Sequence, residues 1–410
     1  MVQETEVHVA RQPIFDNKLN VFGYELLFRS NFINSYDSAD GDQATHDVIA
    51  NSFLLFGLET LTGGKKAFIN FTANSLRNNI PAMLPRKLVA VEILEDIIPD
   101  AAIINACKKL KQDGYLLVLD DFAFAPAYLP LVEVADIIKV DFRTTPPAER
   151  WQLIQRLQGY PLKFLAEKVE THEEFEAALQ MGYSYFQGYF FCKPLIMSGR
   201  NLPGYKANYL HILQEINRPE LEFSQIEAII RRDVSLSYKL LKFINSSVFG
   251  FRKRISSLRQ ALTLLGQKEL IKWVSLIALK GIGDDKPGEL ILRSLIRARF
   301  AESLAAGRMP AALVANAFLM GMFSHIDVLL DRPIGEILEE ISLDERIRNA
   351  ILEKGHNQFS ALYKLIQTYE QGDWQAYSGY VADLGINEQD VAKSYRESLL
   401  WAHDQVVANY

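Results

Sequence analysis

The periodicity of the chain changes once, near residue 200, and that change limits the folds open to it. Up to about residue 195 short apolar runs recur: VHVARQPI, VFGYELLF, KAFINF, LVAVEIL, YLLVLDD, ADIIKVDF, LKFLAEKV and YFQGYFF. Several are rich in Val and Ile, which suits parallel strands buried on both faces. Between most of them lie helical patterns such as GDQATHDVIANSFLLFG and THEEFEAALQMG. The second opens with Thr171 and Glu174 at capping-box spacing and ends at Gly182, a good left-handed terminator. Repeated strand–helix units predict a parallel sheet, and about eight of them predict closure into a barrel. DNKLN, between the first two runs, is too short for a crossover and predicts a hairpin.

From about residue 205 the strand-like runs stop. Ser224 and Glu227 form a second capping box, after which Ile226, Ile229, Ile230, Leu236, Leu240, Leu241 and Ile244 trace an apolar helical face with a break near Asp233. LRQALTLLG and KELIKWVSLIALKG continue the pattern. PLIMSGRNLPGYKAN, 194–208, has the Pro, Gly and Ser content of a linker. The fold class expected is therefore α/β plus all-α: a TIM-like (β/α) barrel domain over 1–200, then an all-helical domain over 201–410.

Composition narrows the functions. The 410 residues suffice for about two to three domains at roughly 150 residues each. A net charge of −6 argues against a general affinity for nucleic acid or anionic lipid. No apolar run approaches the roughly 18 residues of a membrane span, and MVQETEVHVARQ lacks the regions of a signal peptide. Cys107 and Cys192 are far apart and form no CxxC pair, so reduced thiols and a cytoplasmic location are expected.

The chemistry shows in where polar residues fall. Glu25 comes late in its run, Asn70 near the end of KAFINF, and Glu92 after LVAV; Asp120 and Asp121 close YLLVL. Lys139 and Asp141 follow ADII, Glu167 follows FLA, and Gln187 follows YF. The C-terminal ends of parallel barrel strands converge on one mouth, where barrel enzymes place their sites. Crowded carboxylates cannot all stay ionised unless cations compensate them. An all-oxygen set favours hard metals, Mg²⁺ or Mn²⁺, and two such ions can cleave a phosphodiester.

The same residues carry a family resemblance. RQPIFD followed by GYELLFR resembles the opening of EAL domains, with Glu25 and Arg29 matching and Leu26 in place of the family's Ala. FINFT, VEILE, LDDF, DIIKVD, AEKVET and FQGYFFCKP resemble the later EAL motifs in the correct order over roughly residues 6–195. The resemblance implies hydrolysis of cyclic di-GMP to the linear dinucleotide pGpG. It implies two Mg²⁺ or Mn²⁺ ions held by Glu25, Asn70, Glu92, Asp120 and Asp121. Glu167 would be general base or support the second metal, and Lys139 would position the attacking water or a phosphate oxygen. Gln187 would orient its neighbours and, with Gln12, Arg29 and Asp141, contact the ligand, while Glu95 and Glu170 match family positions around the site.

Two departures bear on activity. The family's G-T-G, which in that family links metal binding to dimerisation, is here Ala123-Phe124-Ala125; the glycine of A-E-G-V-E is Lys168. Glycine reaches φ > 0 at little cost and these residues do not. A catalytically weak or silent cyclic di-GMP receptor is therefore the alternative to an active phosphodiesterase, ahead of a purely structural scaffold.

The second half resembles HDOD domains, through IEAIIRRDVSLSYKLLKFINSS, with Asp233, Leu236, Leu240, Leu241, Asn245 and Ser246 matching, and through RISSLRQALTLLGQKEL. This implies a helical domain that contacts a protein partner and holds no metal, with a homodimer also possible for the chain. His403-Asp404 and His46-Asp47 are HD dipeptides read as solvated helix faces rather than metal ligands.

Overall fold

The computed structural model describes residues 7–30, 57–122, 124–193, 204–218, 223–232, 234–245, 255, 257–341 and 343–407. The 41–56 stretch with His46-Asp47, and Ala123, Asp233 and Ser246, lie outside them.

Eight strands close a barrel in chain order: β1 Val7–Asp16, β2 Val21–Ser30, β3 Lys66–Phe71, β4 Val89–Ile93, β5 Leu116–Leu119, β6 Ile137–Asp141, β7 Lys163–Glu167 and β8 Tyr185–Gln187. β2 to β8 are parallel neighbours, and β1 runs antiparallel to both β2 and β8. The predicted hairpin is present. Asp16 Oδ1 accepts from the backbone N–H groups of Lys18 and Asn20 and so fastens its turn. Helices between the strands include α1 Leu58–Thr62, α2 Ala73–Arg77, α3 Ala101–Gln112, α4 Leu129–Val132, α5 Pro147–Leu157 and α6 His172–Met181. The predicted Thr171 cap of α6 forms, while the reciprocal bond from Glu174 falls one residue earlier, on Glu170. Thr171 Oγ1 accepts from the Glu174 N–H at 3.1 Å, Glu174 Oε2 accepts from the Glu170 N–H, and Gly182 ends the helix at φ 97°.

The barrel interior is layered. Ile14, Phe68, Ala90, Val118, Ile137, Leu165 and Tyr185 form one buried apolar cluster drawn from seven strands. Side chains along a strand alternate faces, so the residue two positions on returns to the interior. In β3 to β8 that residue is Asn70, Glu92, Asp120, Lys139, Glu167 and Gln187. One period of the pleat thus separates the dry core from a polar layer at the C-terminal mouth.

The α-helices that follow among the described residues are α7 Gly204–Ile216, α8 Phe223–Arg232, α9 Val234–Ile244, α10 Leu258–Ile282, α11 Gly288–Ala305, α12 Ala311–Phe323, α13 Ile326–Leu330, α14 Ile334–Glu340, α15 Glu345–Ile351, α16 Gln358–Gln371, α17 Trp374–Leu384 and α18 Glu388–Val407. Of the predicted apolar face, Ile226, Ile230, Leu236, Leu240 and Ile244 are buried. Asn245 clamps the end of α9: its side chain donates to the Leu241 and Ile255 carbonyls and accepts from the Ile255 N–H. Among the described residues no helix is long and apolar enough to cross a membrane.

Two details differ from the sequence reading. Helix α7 already begins at Gly204, inside the stretch read as linker, and α8 spans Phe223–Arg232, so Ser224 falls in its first turn. The chain divides into two compact units, one of Met1–Lys193 with Lys364–Tyr410 and one of Pro194–Tyr363. The last helices therefore belong with the barrel, whereas the sequence reading placed all of 201–410 in one helical domain. His403 accordingly packs against Gly63 instead of lying on a solvated face, and burial, then the nearby Arg11, push its imidazole down to about 4.

Gly188, just beyond β8, holds φ 145°, and a Cβ there would lie 2.1 Å from the Val169 carbonyl oxygen. Backbone bonds from Val169 N–H to the Gln187 carbonyl and from Phe190 N–H to the Val169 carbonyl fix this close approach. Gly188→Ala is expected to destabilise the barrel by about 3 kcal/mol or more, combining backbone strain with a clash that side-chain motion cannot relieve. A urea titration of both proteins checks this; an unchanged midpoint would show that the β8 turn adapts freely.

Candidate functional site at the barrel mouth

The polar layer centres on Lys139. Its buried ammonium lies 2.9 Å from Glu92, 2.8 Å from Asp120, 2.9 Å from Glu167 and 3.5 Å from Glu25. The carboxylates come from β2, β4, β7 and the end of β5, so closing the barrel is what gathers them. Burial pushes Glu92 well above the usual carboxylate range, with Lys139 pulling it back and Glu25 and Asp120 pushing it further. Burial likewise raises Glu167, to about 8, against the opposing pull of Lys139. Burial alone would lower the Lys139 ammonium, but the surrounding carboxylates outweigh it and hold the group well above its ordinary value.

Gln187 organises the edge of this cluster. Its Nε2 donates to Glu25 Oε2 at 2.6 Å and to Gln12 Oε1 at 3.1 Å, and Asn70 Nδ2 reaches Glu25 Oε1 at 3.4 Å. The opposite atom of the same amide, Asn70 Oδ1, is buried and accepts no hydrogen bond; Glu92 Oε2 is in the same condition. Buried acceptors without donors are costly unless a cation or water meets them. The donor set, carboxylates with one amide oxygen, is that of a hard divalent ion. Among the described residues, however, no three acidic or other ligating side chains are already arranged as a metal cage. The carboxylates converge on the ammonium instead.

The other expected site residues divide into two groups. Asp121 adopts φ 39° beside the cluster; burial raises its carboxyl, and Lys168 offsets part of that. Asp141 is buried and fully engaged. Its Oδ1 accepts from the Arg143 and Thr144 N–H groups, and its Oδ2 from Lys168 Nζ at 2.5 Å. Burial alone would raise Asp141, but these donors hold it below its ordinary value. Lys168 itself adopts φ 53°. It keeps the left-handed backbone that glycine takes more easily, and in exchange places a cation beside the acidic layer.

Away from the layer, Glu95 is exposed, and Ala125 is extended at φ −134°, a conformation that needs no glycine. Phe124 lies under the Arg156 guanidinium at 5.4 Å. Arg29 turns to Ser378 Oγ at 2.9 Å and Glu388 at 3.3 Å. Sequence reasoning missed Ser378 and Glu388, which belong to no motif and lie some 350 positions from Arg29.

Removing Lys139 leaves the mouth without its counter-charge. In chelator-treated protein, Lys139→Met is expected to lose about 3–5 kcal/mol, the range for breaking a buried ion pair on one side. Denaturation with and without Mn²⁺ checks this: added metal should recover stability in the variant, and a variant as stable as the wild type would refute the electrostatic role.

The EAL domain model matches residues 60–194 and the HDOD domain model residues 202–362. The Bacillus subtilis protein YuxH is 41% identical over 97% of this chain and 98% of its own length. The Vibrio cholerae protein named Cyclic di-GMP phosphodiesterase CdgJ is 37% identical over 97% of this chain and 92% of its own. A solved structure described as a standalone versatile EAL protein from Vibrio cholerae, in a form with cyclic di-GMP bound, is 22% identical, with a TM-score of 0.37 over 46% of this chain and 92% of that one. Full-length identity at this level, together with the two domain matches in the order the motifs predicted, places the chain in the family of EAL–HDOD proteins.

Proposed function

We propose that the barrel binds cyclic di-GMP and hydrolyses it to linear pGpG. The observation that carries this reading is the convergence of Glu25, Glu92, Asp120 and Glu167 on one buried point, with Asn70 Oδ1 and Glu92 Oε2 left without donors. The name of the Vibrio cholerae relative supports the same activity. Glu25, Asn70, Glu92, Asp120 and Asp121 would hold two Mg²⁺ or Mn²⁺ ions. Such ions lower the pKa of a water and stabilise the charge of an in-line displacement at phosphorus.

The chain's own groups supply the rest. Water adds to phosphorus, the bond from phosphorus to the ribose 3′ oxygen breaks, and that oxygen takes a proton. Glu167, whose carboxyl burial raises above the usual range, would take up a proton from the attacking water. Lys139 neutralises the layer and steadies the water or a phosphate oxygen. Gln187 orients Glu25 and Gln12. The helical unit resembling HDOD domains would serve protein contact rather than chemistry.

A second reading, a receptor that binds without turnover, is favoured by one observation: Lys168 sets a fixed cation on Asp141, next to Asp121, where a second metal would otherwise be drawn. Incubating the full chain with cyclic di-GMP and Mn²⁺, and measuring both bound ligand and linear product, separates the two. Product from the wild type but not from Glu167→Gln supports the phosphodiesterase. Binding without product supports the receptor, and absence of binding refutes both.

The raised Glu167 gives a pH test. Its folded value of about 8 exceeds its ordinary 4.5, so the fold favours the neutral carboxyl. This contribution to stability is complete below the unfolded value and is lost as pH rises through the folded one. Metal-free protein should therefore melt at lower temperature on going from about pH 6 to about pH 9, while Mn²⁺ affinity rises because protons no longer compete. Melting curves and Mn²⁺ titrations across that range check both; pH-independent metal affinity would contradict the assignment.

A further inference from the structure

The face of the β1–β2 ribbon that carries Glu25 continues beyond the mouth. Opposed pairs along it are Gln12 with Glu25, Ala10 with Leu27, and His8 with Arg29. Opposed residues of an antiparallel pair share a face, and every second residue returns to it. Gln12, Leu27 and Arg29 thus extend the surface on which Glu25 sits, and the resemblance assigns two of them to ligand contact.

In the structure this face is covered by the chain's own C-terminal segment, which lies outside the residues matched by either domain model. Gln12 Nε2 donates to the Gln371 carbonyl at 3.4 Å. Gly372 sits against Leu27 so closely that a Cβ would fall 2.8 Å from its Cδ1. His8 is fully buried, its ring centre 6.0 Å from Tyr369, 6.2 Å from Trp374 and 5.6 Å from Tyr377. Burial, then Arg29, push its imidazole down to about 4, so it packs there as a neutral ring. Arg29 lies 5.3 Å over the Tyr377 ring, with Ser378 and Glu388 on its guanidinium.

We propose that the segment from Gln371 to Glu388 is an internal competitor of the cyclic dinucleotide, with Glu388 and Ser378 occupying Arg29 until a phosphate takes their place. This rests on the reading of the barrel as a cyclic di-GMP site. The two parts of the contact differ in exposure. The cage around His8 is mainly aromatic, with Tyr369 and Tyr377 completely buried, Trp374 half-buried and Glu388 Oε2 3.6 Å from His8 Nε2. The Arg29–Glu388 pair is about a quarter exposed, with side-chain accessibilities of 22% and 27%, so solvent reaches it while it does not reach His8. Glu388 sits on Nη1 of Arg29 and Ser378 on Nη2, so an anion that pairs with the guanidinium competes with the carboxylate for its charge and for these donors. Aromatic packing keeps the segment close enough to return after the ligand leaves, at the high effective concentration of a tethered group.

The test uses the full chain with Ca²⁺ and cyclic di-GMP. Binding is measured for the wild type, Glu388→Gln and Ser378→Ala, and amide hydrogen exchange over 371–388 is followed in the wild type. The expected result is binding about fivefold tighter in Glu388→Gln, the factor that corresponds to ~1 kcal/mol of lost competition from the carboxylate. A smaller gain is expected in Ser378→Ala, which keeps the carboxylate, and faster exchange over 371–388 when ligand is added to the wild type. Equal or weaker binding by Glu388→Gln, or exchange that ligand leaves unchanged or slows, overturns the latch while leaving the barrel's ligand in place. If none of the three proteins binds, the assignment of the barrel to the cyclic dinucleotide fails, and the latch fails with it.

Discussion

A single buried ammonium, that of Lys139, stands among the side chains of Glu25, Glu92, Asp120 and Glu167, and the rest of the mouth is arranged around it. In a low-dielectric interior four carboxyl groups cannot all carry charge beside one another. The lysine balances part of that charge, and burial shifts Glu92 and Glu167 toward their neutral forms. The result is a site with one ammonium among four carboxyl groups, short of positive charge. That shortage is the physical basis for reading it as a cation site.

Packing and chemistry in the barrel are two consequences of one geometry. The pleat brings every second side chain inward, so the residues that fill the core and those that form the site alternate along the same strands. Phe68 precedes Asn70, Ala90 precedes Glu92, and Leu165 precedes Glu167, each by two positions. A slip of one residue in any strand would turn its polar group away from the mouth and into the buried apolar layer beneath the helices, where it would have no partner. Gly188 closes the arrangement by letting the backbone after β8 approach Val169, which keeps Gln187 aimed at Glu25.

The unit that contains the barrel also includes the last helices of the chain, and they change what the mouth presents. They bury His8 in an aromatic cage and draw Arg29 toward Glu388. Lys168 alters the opposite side, where its ammonium takes up the remaining oxygen of Asp141. Both changes put charge-compensating groups of the protein itself where the family resemblance assigns ligand or metal contacts.

Much of the barrel was legible in the order of the residues. Alternating strands and helices, the hairpin at DNKLN, the Thr171–Glu174 cap and the polar residues at strand ends all follow from local periodicity and short-range hydrogen bonds. Those forces act within a few positions and leave their mark in the sequence. The identity of the ionisable groups at the mouth was determined in the same way. What only the tertiary structure decided was which of them face one another: that Lys139 is the centre, that Asp141 is already occupied, and that Arg29 belongs to the C-terminal helices. Glu388 and Ser378 lie in helices with no motif, and their meeting with β2 is set by how α17 and α18 pack on the ribbon. A contact between positions some 350 residues apart is a property of packing, and no local pattern records it.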